Sequence, residues 1–511
     1  MDIPNNILSD IEMPRIIESL NYTITNYGSI KLSQIITHFD NNYVELKKKQ
    51  QIINNFYSDK QLLSILEEKL KELKKYEQLL YKWFGSDYDE NLYFKHSFFN
   101  QSTLLTITNK LQYYSAFILI IVHLLIYFVL KQLGFSIGFI EYLKSSYKMY
   151  QTMISMILSS FMSNQTLIEI GSNSLIFIYG LQQIYSFVSS INKGYDHYKK
   201  CNSSIDEYHE ILKAIQIIKE INNLDNILDK KISFKKIDQC FKKDLSLGNV
   251  LILRKEKEQY EKDFTNILEY IGEIDVMVMT CKMLETKQFV IPKFKKSKKI
   301  ILNIKKMRNL LLEKQVMNDF DNENNLMIIT GSNKSGKTTY IKTVLTCILL
   351  SQSLGIVPCE KIILTPFQNI FSKILLENKI GHESLFESEI NNLFILLDLI
   401  KNKNNKIFFI IDELMTGTNI DEGIANSYSF CSFISKKSNV SGIISTHFYQ
   451  ICDIKNINYN KFTAKNKKGH FVFDYKLKKG ISHQFIATEL LKEKGYDHKI
   501  IDMALKKINK S

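Results

Sequence analysis

Between Arg15 and Ile291 this chain contains no proline; its five prolines, Pro4, Pro14, Pro292, Pro358 and Pro366, all lie outside that interval. Proline removes a backbone donor and breaks helix interiors, so the interval is open to long helices. The local pattern agrees. Leu62, Leu66, Leu70, Leu73 and Leu80 recur at helical spacing in a Glu/Lys-rich background, the periodicity that lines one face of a helix. A similar amphipathic run covers about Asp206 to Ile232. Residues 15–290 are therefore expected to be predominantly α-helical.

The middle of this region has a different texture. Leu111–Leu130 carries no charge over 20 residues and is flanked by Lys110 and Lys131. That satisfies the length of a membrane span, although His123 interrupts it. Two further uncharged stretches, Met149–Ile168 and Gly171–Asn192, contain several Ser, Asn and Gln residues. Two readings fit the 111–192 region: a membrane hairpin, or helices buried on all sides within a large helical domain. The organisation expected is thus a helical start over 1–100, an apolar helical region over 101–195, a helical return over 196–290, and a domain of another kind over 291–511.

After Pro292 comes a basic run, Lys293–Lys299, suited either to phosphate contact or to a solvated linker. Short apolar runs then alternate with helical patterns, which predicts an α/β domain. Met327–Thr330 reads as a strand and runs directly into Gly331-Ser332-Asn333-Lys334-Ser335-Gly336-Lys337-Thr338, with a helical pattern from Thr339. This is G-x-x-x-x-G-K-[ST] in its strand–loop–helix context. Glycines let the backbone wrap so that its N–H groups point at phosphates, and the helix N-terminus adds partial positive charge. Lys337 is expected to reach the β- and γ-phosphates of ATP, and the Thr338 hydroxyl to bind Mg²⁺. The whole run, Gly331 through Thr339, is the candidate nucleotide site.

A second apolar strand, Lys406–Ile411, ends in Asp412 and Glu413. Asp412 is expected in the Mg²⁺ shell, and Glu413 as the group that orients and deprotonates the attacking water. A third, Gly442–Thr446, ends at His447, placed to sense the γ-phosphate. Together the three strand ends predict a Mg²⁺-dependent ATPase of the ABC type. No Leu-Ser-Gly-Gly-Gln segment is present, which disfavours a transporter domain.

These residues resemble the MutS family ATPase. The likeness includes Asn333 in the loop, the run Asp412–Asn419, and Ser445-Thr446-His447. It extends to Met307–Leu310 with Asn318-Asp319, to Gly355–Pro358, and to His382–Glu389, similar to the family's signature segment. Tyr475–Gly480 with the helical tail to Leu505 resembles its dimerising end. More weakly, Gly28–Leu32 and Lys49-Gln50 resemble the start of the family's helical lever domain. The resemblance implies an α plus α/β chain, with lever-like helices before an ABC-type ATPase domain. It also implies a homodimer, or a heterodimer with a related chain, in which Ser384 approaches the γ-phosphate in trans, and a role on DNA in mismatch repair or recombination.

Several positions depart from the family pattern. Ser332, Lys334 and Ser335 stand where Pro, Met and Gly are common, and Leu385 where Thr is common. No Phe-x-Glu wedge can be placed near the N-terminus, so little mismatch preference is expected. The net charge of +14 suits a polyanion such as DNA. A membrane-associated ATP switch, anchored through 111–192, is the alternative. The seven cysteines are scattered singly, without C-x-x-C pairs or metal-ligand spacing. They predict neither disulfides nor zinc and suit an intracellular, reducing compartment.

Overall fold

In a computed structural model, the residues described are 2–84, 167–224, 232–241, 260–321, 323–374, 385–467, 470–482 and 495–508, with a few isolated positions between them. The chain divides into two compact units. One comprises Met1–Lys74, Asn223–Lys230 and Leu268–Ser511; the other comprises Lys75–Asn222 and Lys231–Ile267.

The helices come first, as the proline gap predicts. They are α1 (Asn5–Asp10), α2 (Met13–Leu20), α3 (Asn26–Thr37), α4 (Tyr43–Ser58), α5 (Lys60–Lys74), α6 (Glu77–Phe84), α7 (Leu167–Leu224), α8 (Lys235–Phe241) and α9 (Glu261–Glu285). In α5 the buried stripe is Leu63, Leu66, Leu70 and Leu73, with Leu62 half-buried beside it; Leu80 of α6 is also buried. Caps fix the starts of α3 and α4. The Thr25 hydroxyl accepts from the Gly28 N–H, and the Asn42 carboxamide accepts from the Val44 N–H, satisfying donors that a helix start leaves open. In the second unit, Tyr208 of α7 stacks near Trp83 and Phe241, with ring centroids 6.1 and 5.4 Å away. The Trp83 indole donates to Glu207 over 2.8 Å.

The membrane-hairpin reading of 111–192 finds no support among the described residues. Among the described residues no helix is long and apolar enough to cross a membrane. Gly171–Asn192 belongs to the 58-residue helix α7. Its Ser172, Asn173, Ser174, Gln182 and Gln183 lower its hydropathy, and Lys193, Lys199 and Lys200 follow within the same helix. Leu111–Leu130 and most of Met149–Ile168 lie outside the described residues, save isolated positions.

The remainder of the first unit is α/β. Its elements are β1 (Lys293–Phe294), β2 (Leu302–Met307), β3 (Asn318–Asp321), β4 (Leu326–Thr330), α10 (Lys337–Gln352), β5 (Lys361–Leu364), β6 (Asn369–Lys373), α11 (Leu385–Lys401), β7 (Ile407–Ile411), α12 (Ile420–Ser435), β8 (Val440–Thr446), β9 (Asn458–Lys461), β10 (Ala464–Lys467), β11 (His470–Phe473), β12 (Lys478–Lys479) and α13 (His498–Ile508). The basic run after Pro292 thus opens with a short strand, whose Lys293 and Phe294 pair with Ile363 and Leu364.

The main sheet has the order β12-β9-β4-β8-β7-β6, parallel except for β12. A second sheet runs β1-β5-β2-β3, and β10 and β11 form a separate antiparallel pair. Strands β4, β7 and β8 are buried at every position, as parallel strands covered on both faces must be. One face packs on α10 and also on the N-terminal helices, through Ile7, Ile11, Leu32, Ile36, Leu46 and Ile53. The other face packs on α11 and α12, through Leu393, Leu396, Ile400, Cys431 and Ile434. Residues 1–74 therefore share a core with the α/β elements that follow them more than two hundred positions later in sequence.

Candidate nucleotide-binding site

Sheet register brings the strand ends together. Thr330 of β4 pairs with Thr446 of β8, and Ile411 of β7 pairs with Ile444 of β8. The residues just past these ends, Gly331, His447 and Asp412-Glu413, consequently emerge side by side. Open α/β sheets bind ligands at this carboxyl edge.

From Gly331 to Gly336 the chain turns between β4 and α10. Gly331 has φ 150° and Gly336 φ 100°, with Lys334 also left-handed at 67°. Glycine is required at the first position for a second reason: a Cβ there would lie 2.9 Å from the Phe462 carbonyl oxygen and 3.1 Å from the Ser335 hydroxyl. The Ser332 and Ser335 hydroxyls are buried and have no hydrogen-bond partner among the described residues, an arrangement that costs free energy unless an acceptor meets them. Lys337 is buried, and its ammonium donates to the carbonyls of Gly331 (2.7 Å) and Ser332 (3.1 Å). Burial holds its pKa below the ordinary lysine range, against the opposite pull of Asp412 and Glu413. Asn333, Lys334 and Thr339 are exposed and line the cavity that opens over the turn.

Across the loop, the Thr338 hydroxyl donates to Asp412 Oδ2 over 2.6 Å, while Asp412 Oδ1 accepts from the Ser445 hydroxyl. Ser445 also accepts from the Glu413 N–H at 3.0 Å. A single serine of β8 therefore holds both acids. Glu413 Oε1 lies 3.0 Å from His447 Nε2. The hydrogen bond from His447 is the main reason the Glu413 carboxyl is held below its ordinary value; burial opposes this, and Lys337 and Lys373 assist it. His447 thus meets the proposed base directly, where the sequence suggested only a sensor of phosphate.

Two residues of this turn are strained. Glu413 has φ 61° and Met415 φ 54°, left-handed values that cost a non-glycine residue roughly 1–3 kcal/mol each. A cavity of about 500 Å³ opens over the loop, within the range of small-molecule and cofactor sites. Its walls include Asn309, Gln315, Glu413, Phe462 and Tyr475. The Gln315 side-chain oxygen is buried there without a partner among the described residues. Among the described residues, no group of three or more His, Cys, Asp and Glu side chains is arranged to hold a metal alone. The hydroxyl–carboxylate pair of Thr338 and Asp412 fits a hard cation that keeps phosphate and water as its other ligands, as Mg²⁺ does.

Of the residues singled out from sequence, Gly331–Thr339, Asp412, Glu413 and His447 converge on one edge of the sheet. Ser384 lies outside the described residues. The roles of Ser445, Gln315 and Tyr475 were not read from sequence. Ser445 belongs to the same strand-end motif as His447 and carried a signal; Tyr475 was marked only as the start of a segment resembling the family's dimerising end, and Gln315 carried none.

The fold and loop define a class: a parallel α/β domain with a strand, a glycine-rich turn and a helix at the carboxyl edge of its sheet. Residues 327–510 match the family model described as MutS domain V. Over this region the chain is similar to the MutS family. It is 29% identical over 266 residues to the DNA mismatch repair protein MSH3 of Saccharomyces cerevisiae (strain YJM789), a match covering 49% of this chain and 25% of that protein. It is 31% identical over 172 residues to MutS protein homolog 4 of Homo sapiens, covering 31% and 18% respectively. It is 25% identical over 266 residues to the DNA mismatch repair protein MutS of Streptococcus agalactiae serotype Ia, covering 49% and 30%. In each case the chain spans less than a third of the relative's length.

Proposed function

We propose that this chain is a MutS-type ATPase that binds ATP with Mg²⁺ at the carboxyl edge of its main sheet and hydrolyses it. The observation that carries the reading is that the glycine turn, Thr338 and Glu413 line one cavity, with Thr338 hydrogen-bonded to Asp412 and Glu413 to His447. The loop's N–H groups and the two unpartnered serine hydroxyls meet phosphate oxygens. Lys337 turns from its own loop carbonyls to the β- and γ-phosphates, where its charge is restored. Thr338 and Asp412 hold Mg²⁺; when bound, the ion neutralises phosphate charge. Glu413 orients a water and takes its proton as the water oxygen bonds to the γ-phosphorus and the bond to the β-phosphate bridge breaks. His447 keeps the Glu413 carboxylate ionised and aimed. The test is turnover of Glu413→Gln, which keeps the shape and loses the base. ATP hydrolysis is expected to fall about 10²-fold or more; hydrolysis at the wild-type rate would show that Glu413 is not the base.

The same reading extends to DNA. We infer that the protein acts on DNA in mismatch repair or recombination, as a homodimer or a heterodimer with a related chain. Support comes from its similarity to DNA mismatch repair proteins and from the net charge of +14. Contacts from Lys and Arg to phosphates release counterions, so DNA affinity is expected to fall steeply with salt. Titration against homoduplex, mismatched and branched DNA at two salt concentrations measures this, and absence of binding to all three at low salt would refute it.

A further inference from the structure

Beneath the strained turn that carries Glu413 lies a buried ion pair that hydrolysis as described above does not use. Lys373 ends β6 and Glu389 lies in the second turn of α11. Their side chains are 3% and 1% exposed, and they are in direct contact. An ion pair this dry is costly to assemble and has value only where its remaining lone pairs are satisfied. Here they are satisfied by one segment: Glu389 Oε1 accepts from the Met415 N–H at 2.6 Å, and Oε2 from the Gly417 N–H at 3.4 Å.

The rest of the turn is held from the sheet. The Asp412 N–H donates to the Lys373 carbonyl at 2.9 Å, the Glu413 N–H to the Ser445 hydroxyl, and the Leu414 N–H to the Ser445 carbonyl at 3.4 Å. Sheet contacts thus fix residues 412–414, and the Glu389 carboxylate fixes 415–417. Left-handed Glu413 and Met415 stand on either side of Leu414. Such residues persist only where their surroundings over-determine them. Met415 is held by Glu389, and its φ sets the path of the chain that leaves Glu413.

We propose that Glu389 is a positioning residue for Glu413: seated on Lys373, its carboxylate clamps the Met415–Gly417 backbone and so aims the Glu413 side chain at the nucleotide cavity and at His447. This rests on the ATPase reading above for its consequence in turnover, but not for its structural content. Because Glu389 stands on α11, any ligand or partner that shifts this helix alters the aim of Glu413.

The test compares Glu389→Asp with the wild type and with Glu413→Gln. Aspartate keeps the charge opposite Lys373 but withdraws the carboxylate from the Met415 and Gly417 N–H groups by one carbon–carbon bond. The double variant Lys373→Met with Glu389→Gln leaves no unpaired buried charge and keeps one acceptor. Four quantities are read on the folded full chain: the dissociation constant of a fluorescent ATP analogue, kcat for ATP, KM for ATP, and the His447 imidazole resonance in nucleotide-free protein. Glu389→Asp is expected to bind the analogue within about threefold of wild type and to lose about tenfold or more in kcat with KM little changed. Its His447 resonance should move in the direction produced by Glu413→Gln. The double variant should show the same changes at smaller size. A normal kcat with an unmoved resonance in either variant overturns the proposal, as does loss of binding in step with kcat, which marks general damage. If the wild type fails to hydrolyse ATP, the ATPase reading has failed, and the His447 resonance alone then decides whether Glu389 aims Glu413.

Discussion

At the residue scale the site depends on a few hydrogen bonds that set charge and direction. Glu413 must be an anion to accept a proton, and the His447 hydrogen bond is the first cause of its lowered pKa. A carboxyl with a depressed pKa stays ionised to lower pH, and losing the cause moves the point of protonation upward. His447→Ala is therefore expected to shift the acid limb of the kcat–pH profile to higher pH, and to lower kcat at neutral pH by about tenfold as the carboxylate loses its orientation. Superimposable acid limbs in the two proteins would contradict the pairing. The chemistry-bearing residues were legible because their spacing is local: the glycine turn, the acids after an apolar run and the strand-end histidine each occupy a few consecutive positions. The Lys373–Glu389 clamp was not. Both residues were in plain view, Glu389 within the signature-like segment, but their meeting depends on α11 folding back over β6, which spacing alone does not encode.

At the element scale, the strands forming the carboxyl edge tolerate little change in volume. Gly442 of β8 shows why. A Cβ at this position would lie 2.2 Å from the Phe409 ring on β7, and the Gly442 N–H is committed to the Asn325 carbonyl at 2.9 Å. The ring cannot move without disturbing a strand buried along its full length. Gly442→Ala is expected to destabilise the protein by about 1–3 kcal/mol through overpacking, seen as a lower denaturant midpoint; an unchanged midpoint would mean that the two strands separate more freely than their register implies. The strands themselves could be read from sequence to within a residue or two, since short apolar runs between polar turns are their signature. Their order could not. Nothing in a run such as Ile407–Ile411 states that β8 will pair between it and β4, yet that insertion brings Ser445 to both Asp412 and Glu413.

For the whole molecule, the missing prolines announced helices, and the described residues before Pro292 are mainly helical; the alternating pattern after Pro292 announced the α/β elements. The compact units do not follow sequence order: residues 1–74 and 268–511 lie in one, with Ile7, Leu32 and Ile53 in the same core as Ile348 and Ile410. Amphipathic periodicity shows that a helix has a buried face and is silent on what covers it, so this grouping had to come from the fold. The uncharged stretches illustrate the same limit. Their hydropathy suited a bilayer and a protein interior alike, and Gly171–Asn192 became part of the long helix α7. What unites the scales is a proposed nucleotide site at the ends of β4, β7 and β8, and the most direct test of it is equilibrium binding. With Mg²⁺ and a slowly hydrolysed ATP analogue, wild type and Glu413→Gln are expected to bind alike, while Lys337→Ala, which loses the cation facing the phosphates, should bind at least about 100-fold more weakly, or roughly 2.7 kcal/mol. Equal affinity of Lys337→Ala and wild type would place the nucleotide elsewhere, or nowhere, on this chain.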